Sequence, residues 1–425
     1  MSRLVYCLLL YLISPLIWGY LLFRAVKAPE YREGILARLG LNTRNAARHG
    51  IIIHCASVGE TIAAAPLIRR LLVDFSHLPL VVTTTTPTGK AMVRQLFGEQ
   101  VFHHYLPVDW PGASGRFIRT LKPQLVILME TEVWPNLLFQ CQQQSVPVLL
   151  ANARLSSKSL SSYLKFARFS RQIFSRIQVI AAQYTSDVEN FKQLCNSAKT
   201  CIEATGSIKF DIAISPDTLA LQKSLTAQWT ISERRVWVAA SIHPGEFSTI
   251  LTVHQQLLKQ FPDLLLIGVP RHPEQFIPFK QMVKTFEFKA VCRSESVPVI
   301  QQHQVLIGDS LGEMLVYCGL ANIAYVGGSL IERGGHNPLE PLACGVPVIM
   351  GPSYYNFADI TQKFVEQEAL QIVVDDAELG QTLNTWLSHP EMVAQKAEQA
   401  KRLIQANQGC VNRLAEITAR LLCHR

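Results

Sequence analysis

Beyond residue 50 the chain keeps to one pattern, in which short β-branched or apolar runs are each followed by a longer stretch of helical period. Such runs need burial on both faces, so the pattern restricts the fold to a parallel α/β sheet with helices above and below it. The first half supplies runs at 51–55, 80–86, 101–106, 124–130, 146–152 and 179–183, with helical stretches such as 61–73 and 135–144 between them. The second half repeats the scheme at 235–241, 264–270, 305–308, 323–327, 346–350 and 370–374. Two doubly wound, Rossmann-like domains are expected, and a chain of 425 residues has the length for them. A mixed stretch over 212–230, containing Pro216, carries the boundary and divides the chain into 1–24, 25–215 and 216–425. Ligands of such sheets bind outside the carboxyl ends of the strands, so the residues just after each run are the ones to read for chemistry.

The segment 4–23, LVYCLLLYLISPLIWGYLLF, holds no charge. About 20 apolar residues rising 1.5 Å each reach across a hydrocarbon core of roughly 30 Å. A cleavable signal has a shorter apolar region of about 7–15 residues ending in small residues. This segment ends Leu-Leu-Phe-Arg and reads as an uncleaved anchor. Arg3 precedes it, whereas Arg24, Lys27, Arg32, Arg38, Arg44 and Arg48 follow against Glu30 and Glu33, which places the following domain on the cytoplasmic side. Pro15 and the interface-loving Tyr6, Tyr11, Trp18 and Tyr20 leave two geometries open, crossing the bilayer or lying in one leaflet, beside a buried first helix of the soluble fold.

Composition narrows the partners. Hydrophobic residues at 48% and charged ones at 17% exclude a disordered chain. The net charge of +8 calls for an anionic contact, which could be nucleic acid, a phospholipid surface or an acidic substrate. Ten cysteines without a CxxC pair read as reduced thiols of a cytosolic setting, with neither a zinc site nor a disulfide framework.

Several residues after the strands could carry chemistry. Glu60, in the SVGE stretch 57–60, stands where an acidic side chain either stabilises the next helix N-terminus or projects toward a ligand. Glu130 and Glu132, in METEVWPN, are two residues apart and on extended chain would share a side, unless Glu132 caps the helix after Pro135. Lys209, in GSIKFD, adds a cation at a strand end before the linker, where a solvated lysine is the plain alternative. In the second half Arg271 follows Pro270 and offers a rigid fork of donors for a phosphate or carboxylate. The turn holding Leu311, Gly312 and Glu313 could meet a nucleotide with its amides. The glycine-rich loop 327–336 runs into Asn337, Pro338, Leu339 and Glu340 and is expected to aim exposed amides at a phosphate. Asn337 and Glu340 also fit the N-cap and N3 positions of a capping box that needs no ligand. No GxxxxGK[ST] run is present, which argues against a P-loop hydrolase.

Taken in order, Lys27-Ala-Pro29, SVGE, TPTG at 86–89, METEVWPN, ANARLS at 151–156, GSIKFD, PRHPE at 270–274 and GGSLIERGGHNPLE at 327–340 resemble the bacterial 3-deoxy-D-manno-octulosonic acid (Kdo) transferases over essentially the whole chain. The resemblance implies a GT-B glycosyltransferase fold with two Rossmann-like domains facing a central cleft, the first binding the acceptor and the second the donor CMP-Kdo. It implies transfer of Kdo to a hydroxyl of the tetraacyldisaccharide lipid A precursor (lipid IVA), with inversion and without metal or other cofactor, at the cytoplasmic face of the bacterial inner membrane. It makes Glu60 the general base, lets Glu130 and Lys209 assist at the transition state, and puts the CMP pocket at Pro270, Arg271, Leu311, Gly312, Glu313, Asn337, Pro338, Leu339 and Glu340. One departure stands out: where relatives often read HxGEE, this chain has His243-Pro-Gly-Glu246-Phe247, so the role of the second Glu does not transfer.

An acylated, phosphorylated acceptor gives the anchor and the positive charge a common purpose. Lys165, Arg168, Arg171 and Arg176, interleaved with Phe166, Phe169 and Phe174, suit either an anionic lipid surface or a solvated helix with a buried aromatic stripe. The partners expected are CMP-Kdo, lipid IVA and anionic inner-membrane lipids, with no nucleic acid. The competing readings are another GT-B enzyme acting on a diphosphate sugar, and a non-catalytic membrane scaffold that binds nucleotide or RNA.

Overall fold

The computed structural model describes all residues except 1, 33, 42–46, 196–199, 230, 232–233 and 424–425. Glu33 and Arg44 of the charge pattern, and Thr230 at the end of the linker range, lie outside the described residues. The chain forms two compact units, one of residues 1–211 with 407–425 and one of residues 212–406.

The first unit holds β1 (Ile51–His54), β2 (Leu80–Thr84), β3 (Phe102–Tyr105), β4 (Leu125–Met129), β5 (Val148–Ala153), β6 (Val179–Ala182) and β7 (Cys201–Ala204). All pair in parallel in the order β3-β2-β1-β4-β5-β6-β7. The second holds β8 (Val236–Ile242), β9 (Leu265–Pro270), β10 (Ala290–Cys292), β11 (Val305–Ile307), β12 (Ile323–Val326), β13 (Val348–Met350) and β14 (Leu370–Ile372), also parallel, in the order β10-β11-β9-β8-β12-β13-β14. This is the doubly wound pair expected of a GT-B-like fold. Buried Val, Ile and Leu on the central strands pack against helices on both faces, which is why those runs read as continuous apolar stretches. The edge strands β7 and β10 escape that pattern, because an edge strand is short and partly wet and its residues need not be apolar.

In each sheet the order reverses beside the first strand, between β1 and β4 and between β8 and β12. Those two reversals are the topological switch points where ligands bind. Each sheet also carries an irregularity next to its switch region. The β5–β6 register shifts at Asn152, held at φ 53°, and the β8–β9 register shifts at Ser241, held at φ 56°. One extra residue re-aims the side chains that follow, a common device beside functional sites.

The C-terminal boundary needs correction. The helix Cys410–Cys423 belongs to the first unit rather than to a domain 216–425. Its Leu414 and Ile417 share a core with Ile68 and Leu71 of the helix Val58–Asp74. Asp211 fixes the returning chain by accepting the amides of Gly409 at 2.6 Å and Val411 at 2.5 Å. An amphipathic helix declares that it has an apolar face but not which sheet will cover it.

Candidate active site

The first cluster of chemistry lies at the β1–β4 switch point. Ser57 caps the helix Val58–Asp74, and Glu60 answers it: one carboxylate oxygen accepts the Ala56 amide at 2.8 Å and the other accepts the Ser57 hydroxyl at 2.9 Å. The capping reading of Glu60 is realised, and the cap fixes the carboxylate in place. Burial pushes its pKa up to about 7, against the pull of those two hydrogen bonds, and the charges of Glu132 and Glu130 raise it further. A carboxylate of that basicity is suited to taking a proton near neutral pH.

Glu130 follows the last residue of β4 and sits in the left-handed region at φ 54°, while its amide still donates to the Ala151 carbonyl at 2.9 Å. A non-glycine residue there costs about 1–3 kcal/mol and persists where surrounding structure imposes it. The expectation that Glu130 and Glu132 share a side on extended chain is corrected: the chain turns, with the Glu132 amide donating to the Met129 carbonyl at 3.3 Å and Val133 to Thr131 at 2.9 Å. The two carboxylates still interact: burial raises Glu132, a hydrogen bond with the Trp134 side chain opposes it, and the charge of Glu130 adds a smaller upward push.

Lys209 lies in the 3-10 turn Ile208–Phe210, which packs against the helix carrying Glu60. The turn is pinned by the Ile208 amide donating to the Asn152 side-chain oxygen at 3.1 Å, so the β5 irregularity positions it. Ile208 and Phe210 are buried and Lys209 is half-buried between them. His54, at the end of β1, is a core histidine bonded to the Thr83 hydroxyl at 3.0 Å and lowered to about 4 by burial.

In the second unit the expected donor residues lie at the end of or after three strands, β9 for Pro270 and Arg271, β11 for Leu311, Gly312 and Glu313, and β12 for Asn337, Pro338, Leu339 and Glu340. Pro270 ends β9, and the Arg271 amide donates to the Ile242 carbonyl at 3.0 Å, tying the β9 end to β8. Arg271 is exposed, and its charge is felt by His336, His243 and Glu340. Burial raises Glu340, with Asn337 and Arg271 opposing. Leu311 is 74% exposed and Gly312 takes φ 79°, but Glu313 is committed: it pairs with Arg293 at 2.9 Å and accepts the Ser310 hydroxyl. The helix Met314–Gly319 that follows packs against the helix Leu339–Ala343.

Two expectations about the glycine-rich loop are corrected. Five of its amides are taken internally instead of being exposed: Gly328 and Leu330 donate to Glu246, Gly334 to the Ser353 hydroxyl, Gly335 to the Gly328 carbonyl and His336 to the Gly327 carbonyl. The following helix begins one residue later than expected, with Pro338 at the N-cap and Asn337 accepting the Leu339 amide at 3.1 Å. At five residues it sums few peptide dipoles, so side chains must carry most of any anion binding.

Four side chains to which the motifs assign no role prove central here. Glu246, 1% exposed, accepts the His243 amide at 3.0 Å, the Gly328 amide at 2.8 Å, the Tyr325 hydroxyl at 2.6 Å and the Leu330 amide at 3.3 Å. It is a pillar under the glycine-rich loop. Above it His243 and His336 share a hydrogen bond, Nε2 to Nε2 at 2.8 Å, with rings stacked at 5.0 Å, and His272 meets His243 edge-on at 5.9 Å. Burial and then Arg271 lower His336 to about 4. His243 directly follows β8 and His272 stands two residues after β9, a positional signal present in the sequence. Among the described residues no cluster of His, Cys, Asp and Glu has the makings of a metal site.

Known proteins resemble this chain along its whole length. Residues 33–212 match the family model described as 3-deoxy-D-manno-octulosonic-acid transferase (kdotransferase), and residues 246–403 match glycosyl transferases group 1. The chain is 39% identical to a 3-deoxy-D-manno-octulosonic acid transferase of Haemophilus influenzae over 98% of each chain. It is 32% identical to one of Bordetella pertussis over 97% of this chain and 98% of that one. A UDP-GlcNAc 2-epimerase structure from Neisseria meningitidis, 14% identical, superposes with a TM-score of 0.55 over 88% of this chain and 100% of that one, which concerns the fold alone. With two parallel seven-stranded sheets and full-length identity of this order, the chain belongs to the 3-deoxy-D-manno-octulosonic acid transferase family of glycosyltransferases.

Proposed function

We propose that this Kdo transferase takes its sugar from CMP-Kdo and delivers it to a hydroxyl of lipid IVA by direct, inverting attack without a metal ion. The observation that carries the reading is Glu60, a fixed carboxylate raised to about 7 at the β1–β4 switch point. As general base it removes the acceptor proton while the hydroxyl oxygen bonds to the anomeric carbon, a role worth about 100- to 10,000-fold in rate. Glu130 and Lys209 stand in the same unit to steady the oxocarbenium-like centre and an anionic group of the donor.

CMP leaves with one phosphate, whose charge needs fixed donors more than a divalent ion. Arg271, with the His243–His336 pair close to it, supplies them, and Pro270, Leu311, Gly312, Glu313, Asn337, Pro338, Leu339 and Glu340 complete the nucleotide site in this reading. The protein works at the cytoplasmic face of the inner membrane on anionic lipid, with no nucleic acid partner. The apolar N-terminal helix and the basic charge support that placement.

The test is mass spectrometry of a detergent assay with purified protein, CMP-Kdo, tetraacylated lipid A precursor and EDTA, run beside Glu60→Gln. One or more Kdo mass increments from the wild type alone are expected. Loss of the increments in EDTA with recovery by a divalent cation would overturn metal independence. Full activity of Glu60→Gln would remove Glu60 as the base.

A further inference from the structure

The N-terminal helix, α1 (Arg3–Lys27), is long and apolar enough to cross a membrane, yet it is part of the first unit along its whole length. Residues 3, 6, 7, 10, 14, 17, 18, 21, 24 and 25 are half-buried or buried, and the other described residues of the helix are exposed. That spacing of three and four is a single straight seam, the signature of a helix packed lengthwise on a support.

The seam is anchored at both ends. Near the start, the Arg3 guanidinium donates to the Asn136 side-chain oxygen at 2.8 Å and the Tyr6 hydroxyl donates to Asp109 at 3.0 Å. Asp109 is 2% exposed and also accepts the amides of Asn136 and Leu137 at 2.8 Å, so α1 is wired into the start of the helix Pro135–Gln143. In the middle, Tyr11 and Trp18 pack on Trp110 with ring centroids 6.1 and 5.8 Å apart. Near the end, Leu21 and Ala25 are buried and Arg32 donates to the Ala25 carbonyl at 2.9 Å. A helix that crossed the bilayer would hold Arg3 roughly 30 Å beyond the membrane surface on which the unit rests, and every one of the first contacts would be broken.

We propose that α1 does not cross the bilayer but lies in the plane of one leaflet as a fixed edge of the first unit, with an anionic phospholipid monolayer covering its outer face. Leu4, Leu8, Leu12 and Leu16 form that face at 68–77% exposed, and no charge interrupts them. The charges gather at the rim instead: Arg3, Arg24 and Lys27 at the helix ends, and Arg168 and Arg171 on the helix Ala167–Phe174. That helix adjoins α1 through the Tyr6–Phe169 ring contact at 5.7 Å, and Phe166 beside it is 52% exposed. An apolar strip bordered by cations complements acyl chains bordered by anionic headgroups. The inference goes beyond the proposed reaction and does not depend on the identity of donor or acceptor.

The test uses the full chain carrying an epitope tag ahead of Ser2. Protease added to intact spheroplasts is expected to leave the tag whole, and protease added to inverted membrane vesicles is expected to remove it. Cleavage of the tag in intact spheroplasts would overturn the in-plane placement. A second measurement takes purified Leu8→Glu/Leu12→Glu, whose positions are solvent-exposed in the fold, and vesicles of phosphatidylethanolamine with phosphatidylglycerol. At least a tenfold loss of vesicle binding with an unchanged Tm is expected. Unchanged binding, or conversion of a dimer to a monomer without loss of binding, would assign the outer face to another occupant and sink the proposal.

Discussion

Glu60 sets function against stability, and replacing it by glutamine separates the two. Its carboxyl moves from an ordinary 4.5 to about 7 in the folded protein, chiefly because burial disfavours the charge. An acid whose folded pKa lies above its unfolded one holds a proton that the unfolded chain has released. Stability is therefore greatest below about 4.5 and declines as pH climbs through 7. The full shift would correspond to about 3.4 kcal/mol at 1.36 kcal/mol per unit. Glu60 is only part-buried, so solvent screening leaves roughly half, about 1.5–2 kcal/mol. A glutamine in its place would keep an acceptor for the Ala56 amide and lose the titration. Glu60→Gln is thus expected to be more stable than wild type by that amount at pH 8, a Tm rise of about 3–8 °C, and to match it near pH 5. Thermal unfolding in detergent across this pH range measures the difference, while kcat/KM of the wild type should rise through pH 7. A variant no more stable at pH 8, or a difference that does not shrink toward pH 5, would refute the assignment of burial as the cause.

Asp109→Ala leaves the amides of Asn136 and Leu137 without their buried acceptor and frees the Tyr6 hydroxyl. A stability loss of about 2–4 kcal/mol is expected, read as a lower denaturation midpoint, with weaker membrane retention as α1 loosens; an unchanged midpoint would show the network to be dispensable. Glu246→Gln puts an N–H₂ group among donors from His243, Gly328, Leu330 and Tyr325. The glycine-rich loop should shift, raising KM for the sugar donor at least tenfold with a smaller change in kcat, as donor titration in the transfer assay would register. A change in kcat alone would point to a role in chemistry instead.

Much of the site was legible because chemistry after a strand is written locally. Glu60, Glu130 and Arg271 each follow an apolar run that is also a central strand, and periodicity finds central strands well. Lys209 was placed by its motif, but the strand before it, β7, lies at a sheet edge and gave only a faint pattern. The glycine-rich loop was misread for a different reason. Glycines show that a chain can turn closely, not where its amides will point, and here Glu246, Ser353 and the loop's own carbonyls take five of them.

By itself the sequence determined two doubly wound sheets, the strands at their centres, the carboxylate and cation that stand after those strands, and an apolar first helix, since each follows from periodicity or from neighbours within a few residues. Only the tertiary structure decided which sheet the helix Cys410–Cys423 would cover, that Glu246 would hold up a loop more than eighty positions away, that His243 would pair with His336, and that α1 would lie along the first unit through Arg3 and Tyr6. Those outcomes depend on burial and on hydrogen-bond partners distant in the chain, and a buried polar group finds its partner by where the fold puts it.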